Sequence, residues 1–84
     1  MWEIIIAPKV KKRLAKTPVK LRERILTAIY ELRNNPFDRD FKPVYGTSFW
    51  RLRVGDWRIL FRTDRKEKIL YAVFAGPRGN VYKG

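Results

Sequence analysis

Arginine occupies positions 51, 53, 58 and 62 of an 84-residue chain that contains neither histidine nor cysteine. Without imidazole there is no ordinary base near neutral pH and no imidazole metal ligand. Without thiol there is neither a disulfide framework nor a thiolate metal site. Guanidinium groups, by contrast, suit anions: the planar fork offers parallel N–H donors that meet phosphate or carboxylate oxygens in pairs. No phosphate-cradling glycine loop, paired-carboxylate metal motif or Gly-x-Ser-x-Gly elbow accompanies them. Thr47 and Ser48 are better placed to begin a strand than to act as nucleophiles.

The arginines sit in the stretch RLRVGDWRILF, residues 51–61. Gly55-Asp56 reads as a two-residue type II′ hairpin loop, with glycine at the position that needs a positive φ. That turn sets a register of Val54 with Trp57, Arg53 with Arg58, Leu52 with Ile59 and Trp50 with Phe61. One face is then Trp50, Leu52, Val54, Trp57, Ile59 and Phe61, an apolar surface that must be covered. The other carries Arg51, Arg53, Arg58 and Arg62. Like charges directly opposite in a hairpin cost some tenths of a kcal/mol, so folding does not ask for Arg53 facing Arg58. Long arginine stems can merely cover a solvated sheet, but an anion site on this face is the expectation. If the next hairpin has a four-residue loop, Ile69, Tyr71 and Val73 join the same face and give it apolar anchors.

The elements that position this hairpin follow from local signals. Trp2 to Ile6 reads as a short β-branched strand. Pro8 suits the first turn of a basic helix in which Val10 and Leu14 share a face. Thr17-Pro18 reads as a hydroxyl N-cap followed by proline at the first helical position. The second helix then runs to about Arg33 on the stripe Leu21, Ile25, Ala28, Ile29 and Leu32, and Asn34-Asn35-Pro36 ends it. Residues 36–47 read as an irregular connection. Strands follow over Phe49–Val54, Trp57–Arg62 and Lys68–Ala75. The expected fold class is α+β, a β-α-α-β-β-β chain whose two helices pack on one face of a small, mainly antiparallel sheet. Residues 1–84 form a single domain, with no repeat or low-complexity tract.

Charge is the strongest bulk property: 20 Lys and Arg stand against 8 Asp and Glu, a net +12. Such an excess favours polyanionic partners, nucleic acid first, an acidic protein second and an anionic membrane third. A thermophile's ion-rich surface would carry both signs. Apolar runs such as Ile4-Ile5-Ile6-Ala7 are far too short to span a bilayer, and no basic-then-apolar leader with a small-residue cleavage site is present. A cytoplasmic location without membrane partners is the expectation.

The element order, NNPF at 34–37, RLRVGDWRILF and the ending GPRGNVYK at 76–83 together resemble the RelE/ParE superfamily of bacterial and archaeal toxins, over essentially the whole chain. In that superfamily RelE-type members are ribosome-dependent mRNA endoribonucleases. ParE-type members poison DNA gyrase and do not cut RNA. Each is held inactive by a small antitoxin. The Pro77-Arg78-Gly79 loop and the tyrosine near the end resemble the RelE side. The resemblance therefore implies a metal- and cofactor-independent mRNA interferase that cuts mRNA in the ribosomal A site. Its implied partners are ribosome, mRNA and an acidic RelB-like antitoxin, with a toxin–antitoxin heterotetramer among the assemblies it allows. A ParE-like gyrase inhibitor, or a non-catalytic RNA- or antitoxin-binding member of the fold, are the alternatives.

Cleaving RNA through its own 2′-hydroxyl requires removal of that proton, stabilisation of the phosphorane and protonation of the leaving 5′-oxygen. Fixed guanidinium groups serve the second task. By the resemblance, Arg58 stabilises the phosphorane, Arg78 protonates or stabilises the leaving group, and Tyr82 stacks on or orients a nucleotide. Arg53 falls where nuclease members often carry a lysine base. Arginine is effectively always protonated, so Arg53 acts electrostatically, or Lys83, Tyr82 or ribosomal RNA takes the proton. Arg51, Arg62, Lys83, Lys11, Lys12 and Arg13 are the expected RNA and ribosome contacts. The first helix and its successor, with Lys9, Lys16, Lys20, Arg22 and Arg24, otherwise present a basic surface that is either simply solvated or grips ribosomal RNA backbone. Arg51, Arg58, Ile69, Tyr71 and Val73 are the expected antitoxin surface. Asp56 is read as a turn residue only.

Overall fold

The structure, a computed structural model, describes residues 1–38 and 40–77. Its elements are β1 (Glu3–Ile6), α1 (Pro8–Ala15), α2 (Val19–Glu31), a 3-10 turn (Pro36–Asp38), β2 (Phe41–Pro43), β3 (Trp50–Val54), β4 (Trp57–Asp64) and β5 (Ile69–Pro77). The five strands form one sheet in the order β1-β5-β4-β3-β2. β1 runs parallel to β5, and the other neighbours are antiparallel. A parallel pair cannot be closed by a tight turn, and here the helices and the β2–β4 strands separate the two partners in sequence. The α+β class, with both helices on one face, is as the sequence implied.

α1 starts with Pro8 in its first turn, where the missing N–H has no partner to lose. It buries Val10 and Leu14 and packs against β5. The proposed Thr17 N-cap is corrected. Pro18 is the capping residue of α2, extended at φ −54°, ψ 146°, and no side chain caps that helix. The Thr17 hydroxyl instead donates to the Leu14 carbonyl at 2.7 Å, joining the Thr17 amide, which donates to the same oxygen at 3.1 Å, so that residue 17 closes the end of α1. α2 ends at Glu31, slightly before the expected Arg33, yet Leu32 completes the buried stripe as its C-cap. Such an offset is ordinary at a fraying helix end.

Residues 36–47 are not all irregular. Phe41–Pro43 form an edge strand paired with β3, and the Phe41 side chain is 2% exposed. Proline is tolerated there because an edge strand has one unpaired side. Phe41 lies 5.3 Å from Trp50 and 5.4 Å from Phe61, ring to ring. Phe37 adds contacts to Trp2 at 5.6 Å and Trp50 at 5.0 Å, both edge-on. Aromatic pairs at this spacing add to simple burial, so this cluster closes the end of the core away from the Gly55 turn.

The β3–β4 register is Val54–Trp57, Arg53–Arg58, Leu52–Ile59 and Trp50–Phe61, as the turn demands. Gly55 has φ +58°, and Asp56 is not in the positive-φ region, which agrees with the type II′ reading. Leu52, Val54, Ile59 and Phe61 are buried under the helices, with Trp50 and Trp57 at the margins of the core. The β4–β5 loop spans four residues between the pair Asp64 and Ile69. A bulge at Leu60/Phe61 then leaves Val73 as an extra residue on β5 and sets Phe74 opposite Leu60.

Candidate anion-binding face

Register sorts the open face of the sheet into rows, each crossing several strands. Nearest the Gly55 turn, Arg53, Arg58 and Gly76 are aligned. The next row is Lys42, Arg51, Leu60 and Phe74. Beyond it, Arg62, Tyr71 and Ile5 are aligned, and the Arg62 guanidinium carbon lies 5.6 Å from the Phe49 ring centre. The last row is Asp64, Ile69 and Glu3. The face is thus graded along the strands: basic towards the turn, apolar in the middle, acid-bearing at the far end. The first part has the charge to suit a polyanion, and the second the apolar surface to suit the apolar side of a partner segment.

Arg58 departs from the expectation of a bare sheet face. It is 5% exposed, the only charged side chain among the buried residues described. Its Nε and Nη1 are buried and have no hydrogen-bond partner. Leaving a buried donor unsatisfied costs about 1–3 kcal/mol, more when it is charged. Folding alone gives no return on that cost, whereas an anion arriving at the site would complete both donors. Arg53, directly opposite, is exposed, and Arg51 is half-buried one row away. The Arg53 amide donates to the Asp40 carbonyl at 3.3 Å, which extends the β2 edge alongside this pair.

The face therefore brings together Arg51, Arg53 and Arg58 of the sequence-derived set, with Arg62 two rows from Arg58. Ile69, Tyr71 and Val73 are half-buried on the same surface. Lys11, Lys12 and Arg13 are exposed on α1, and of these Arg13 reaches the first row, its Nη2 lying 3.7 Å from where a Cβ on Gly76 would stand. Arg78, Tyr82 and Lys83 lie outside the described residues. Sequence reasoning missed Lys42, which pairs with Arg51. It also missed Leu60 and Phe74, which with Phe49, Arg62, Tyr71 and Val73 line a groove of about 890 Å³. Strict alternation already puts Leu60 between Arg58 and Arg62, so that signal was available. Phe74 needs the bulge to reach this face, and nothing local announces it.

Among the described residues no three of Asp, Glu, His and Cys gather as a metal site. Among the described residues no helix is long and apolar enough to cross a membrane.

A sequence family described as the ParE toxin of the type II toxin–antitoxin system parDE matches residues 4–82. No curated protein sequence matches significantly. Among solved structures, the chain is similar to one in the archaeal RelE–RelB complex from Pyrococcus horikoshii. The two share 26% identity with a TM-score of 0.80, over 93% of this chain and 96% of that one. A chain of the RelB–RelE antitoxin–toxin complex from Methanococcus jannaschii is also 26% identical, with TM-score 0.68 over 94% and 95%. The fold is shared as well with a chain of the RelBE2 toxin–antitoxin complex of Mycobacterium tuberculosis, at 18% identity and TM-score 0.81 over 92% and 98%.

Proposed function

The chain belongs to the ParE toxin family of type II toxin–antitoxin systems, and on that premise we propose that it is a ribosome-dependent endoribonuclease that cuts mRNA and is silenced by an acidic antitoxin. The observation that carries the nuclease part is Arg58, a buried guanidinium with two unsatisfied nitrogens, opposite Arg53 and beside Arg51 and Lys42. The 26%-identical archaeal RelE–RelB and RelB–RelE chains support this branch of the family.

In the proposed reaction the 2′-oxygen of a ribose attacks the adjacent phosphorus and loses its proton. The P–O5′ bond breaks, leaving a 2′,3′-cyclic phosphate and a protonated 5′-oxygen. No water and no redox partner is consumed. Charge builds on the equatorial phosphoryl oxygens as the phosphorane forms, and donors fixed in advance stabilise that state more than the substrate. Arg58 fills this role because its stem is held in the sheet. Arg53 and Arg51 raise the local positive potential, which favours the 2′-alkoxide. Arg78 serves the leaving oxygen and Tyr82 orients a base, roles that rest on the family resemblance. The ribosome supplies the alignment that a solvated open face lacks.

The groove formed by Phe49, Leu60, Tyr71, Val73 and Phe74 is the proposed antitoxin seat. Its apolar floor offers anchors for the apolar face of a partner segment, and Arg62 offers a carboxylate contact at its rim. Occupying it places the partner beside the basic rows and blocks RNA docking.

The test of the function is direct. Purified protein added to programmed ribosomes should cut mRNA within the A-site codon and leave the same naked RNA nearly intact. Induced expression should arrest growth with loss of full-length messages. Intact messages together with gyrase-trapped DNA breaks would replace this reading with gyrase inhibition. That second reading is favoured by one observation, the ParE description of the matching family.

A further inference from the structure

We propose that the cleft between α1 and the ends of β4 and β5 is a second phosphate-binding track, which holds the backbone of the RNA strand engaged at Arg58. This rests on the ribonuclease reading for the identity of the strand, and adds to it where the rest of that strand lies.

The cleft, of about 530 Å³, is lined by Lys9, Lys12, Arg13 and Lys16 above an aromatic floor of Trp57 and Phe74. Among the described residues no carboxylate lines it. The four cations fall at i, i+3, i+4 and i+7, on one stripe of α1 beside its buried Val10 and Leu14. Like charges at those spacings oppose helix formation, and α1 has no acidic residue in its first turn to complement the helix dipole. Lys12 and Arg13 in the last turn do complement the C-terminal end of the dipole, but Lys9 in the first turn opposes it, so helix stability accounts for the stripe only in part. A row of phosphates accounts for all four cations.

Two of the cations are already aimed. The Arg13 guanidinium carbon lies 5.6 Å from the Trp57 ring centre, and the Lys9 ammonium lies 5.9 Å from that of Phe74. Each ring holds its cation by cation–π attraction while leaving N–H donors free to bind. Such pre-orientation reduces the ordering cost when phosphate arrives.

The cleft is continuous with the anion-binding face. Arg13 Nη2 lies 3.7 Å from where a Cβ on Gly76 would stand, and Gly76 is the residue paired with Arg58. A side chain at 76 would also meet the Phe74 ring at 3.2 Å. Glycine thus keeps open the passage from Arg58 to Arg13. Lys9 and Phe74 line both this cleft and the sheet groove, so the two meet there. Lys11 does not line the cleft, which separates it from Lys12 and Arg13 among the basic residues of α1.

The experiment is equilibrium binding of a short single-stranded RNA, 2′-O-methylated so that it is not cut, to the full-length chain across a salt series. Lys9→Gln/Arg13→Gln and Lys12→Gln/Lys16→Gln are compared with Lys20→Gln/Lys66→Gln, which removes the same charge elsewhere. All of these side chains are exposed, and circular dichroism verifies the fold of each variant. Each lost phosphate contact on a single strand should reduce the log–log salt slope by about 0.7. Each cleft variant should therefore lose about 1.4 in slope and roughly tenfold in affinity at low salt beyond the control. Cleft variants that bind RNA like the control would overturn the proposal. So would variants that lose antitoxin binding while keeping RNA binding, since the cleft would then be a protein contact. Cleavage on ribosomes is assayed separately. A wild-type protein that fails to cut refutes the nuclease reading, whereas a cutting protein with unchanged binding in the cleft variants refutes only the track.

Discussion

Arg53 and Arg58 stand directly opposite one another across the β3–β4 hairpin, yet one guanidinium is exposed to solvent and the other is 5% exposed. The exposed member can adjust to whatever docks. The buried member is held by the sheet and carries two unsatisfied nitrogens. That asymmetry divides the two arginines into a fixed donor and an adaptable neighbour, and it yields opposite expectations for their replacement.

Arg58→Met should separate stability from activity. The methionine matches much of the arginine stem, and removing a buried unpaired charge is often neutral or stabilising. Urea denaturation should show stability unchanged or raised by up to about 3 kcal/mol. Single-turnover cleavage of ribosome-bound mRNA should fall by about 10²–10³, the usual loss for one positioned donor. A variant that loses stability while cutting normally would make Arg58 a structural residue.

Arg53 answers the question of the base. As an electrostatic neighbour, it should tolerate Arg53→Lys with most activity retained at neutral pH, while Arg53→Ala loses a moderate part. A lysine there can titrate where arginine cannot. An Arg53→Lys protein that cuts faster than wild type, with a new basic limb in its rate–pH profile, would show instead that an amine base suits this position.

The sheet groove should bind antitoxin chiefly through its apolar floor. Val73 is half-buried in that groove, and Val73→Glu introduces a carboxylate facing an acidic partner. Calorimetry should show antitoxin affinity weakened at least tenfold, about 1.4 kcal/mol. Tyr45→Ala, at a fully exposed loop position, should leave it unchanged. Part of the wild-type affinity should fade with added salt.

Gly55 is a conformational requirement. An added Cβ would meet nothing nearer than Arg24 Nη1 at 3.4 Å, an ordinary contact, but the φ of +58° is strained for other residues. Gly55→Ala should therefore lose about 1 kcal/mol or more in chemical denaturation, and cleavage should drop as the Arg53–Arg58 register loosens. Unchanged stability would mean that the turn relaxes without cost.

Phe41→Ala tests the strand that local patterning concealed. Phe41 is 2% exposed and contacts Phe37, Trp50 and Phe61. Its truncation should destabilise by about 3–5 kcal/mol, measured by thermal or urea unfolding, and should free Lys42 from its place beside Arg51. A loss below about 1 kcal/mol would make β2 an incidental pairing.

By itself the sequence determined the hairpin and what it displays. A two-residue loop with glycine first fixes register, and period-two alternation then assigns every side chain from Trp50 to Phe61 to one face or the other, without reference to the rest of the chain. The α1 and α2 stripes were legible for the same reason: Val10, Leu14, Ile25, Ile29 and Leu32 are set by helical periodicity, and all are buried. Thr17 shows where local reading fails. A hydroxyl before proline can serve either helix end, and only the geometry of the α1–α2 corner gives it to Leu14. Phe41 was hidden because a three-residue edge strand holding a proline has too little pattern of its own; its pairing with Leu52 comes from elsewhere in the sheet. Arg58 was placed on the correct face but with the wrong exposure, since the burial of a guanidinium depends on its neighbours in space and not on strand parity. The same holds for Phe74, which reaches the open face only through the bulge at Leu60/Phe61. It holds again for Arg13, whose approach to Gly76 spans the distance from the first helix to the last described strand. Short-range stereochemistry wrote the faces, and long-range packing decided which charged groups were buried, held and joined into one surface.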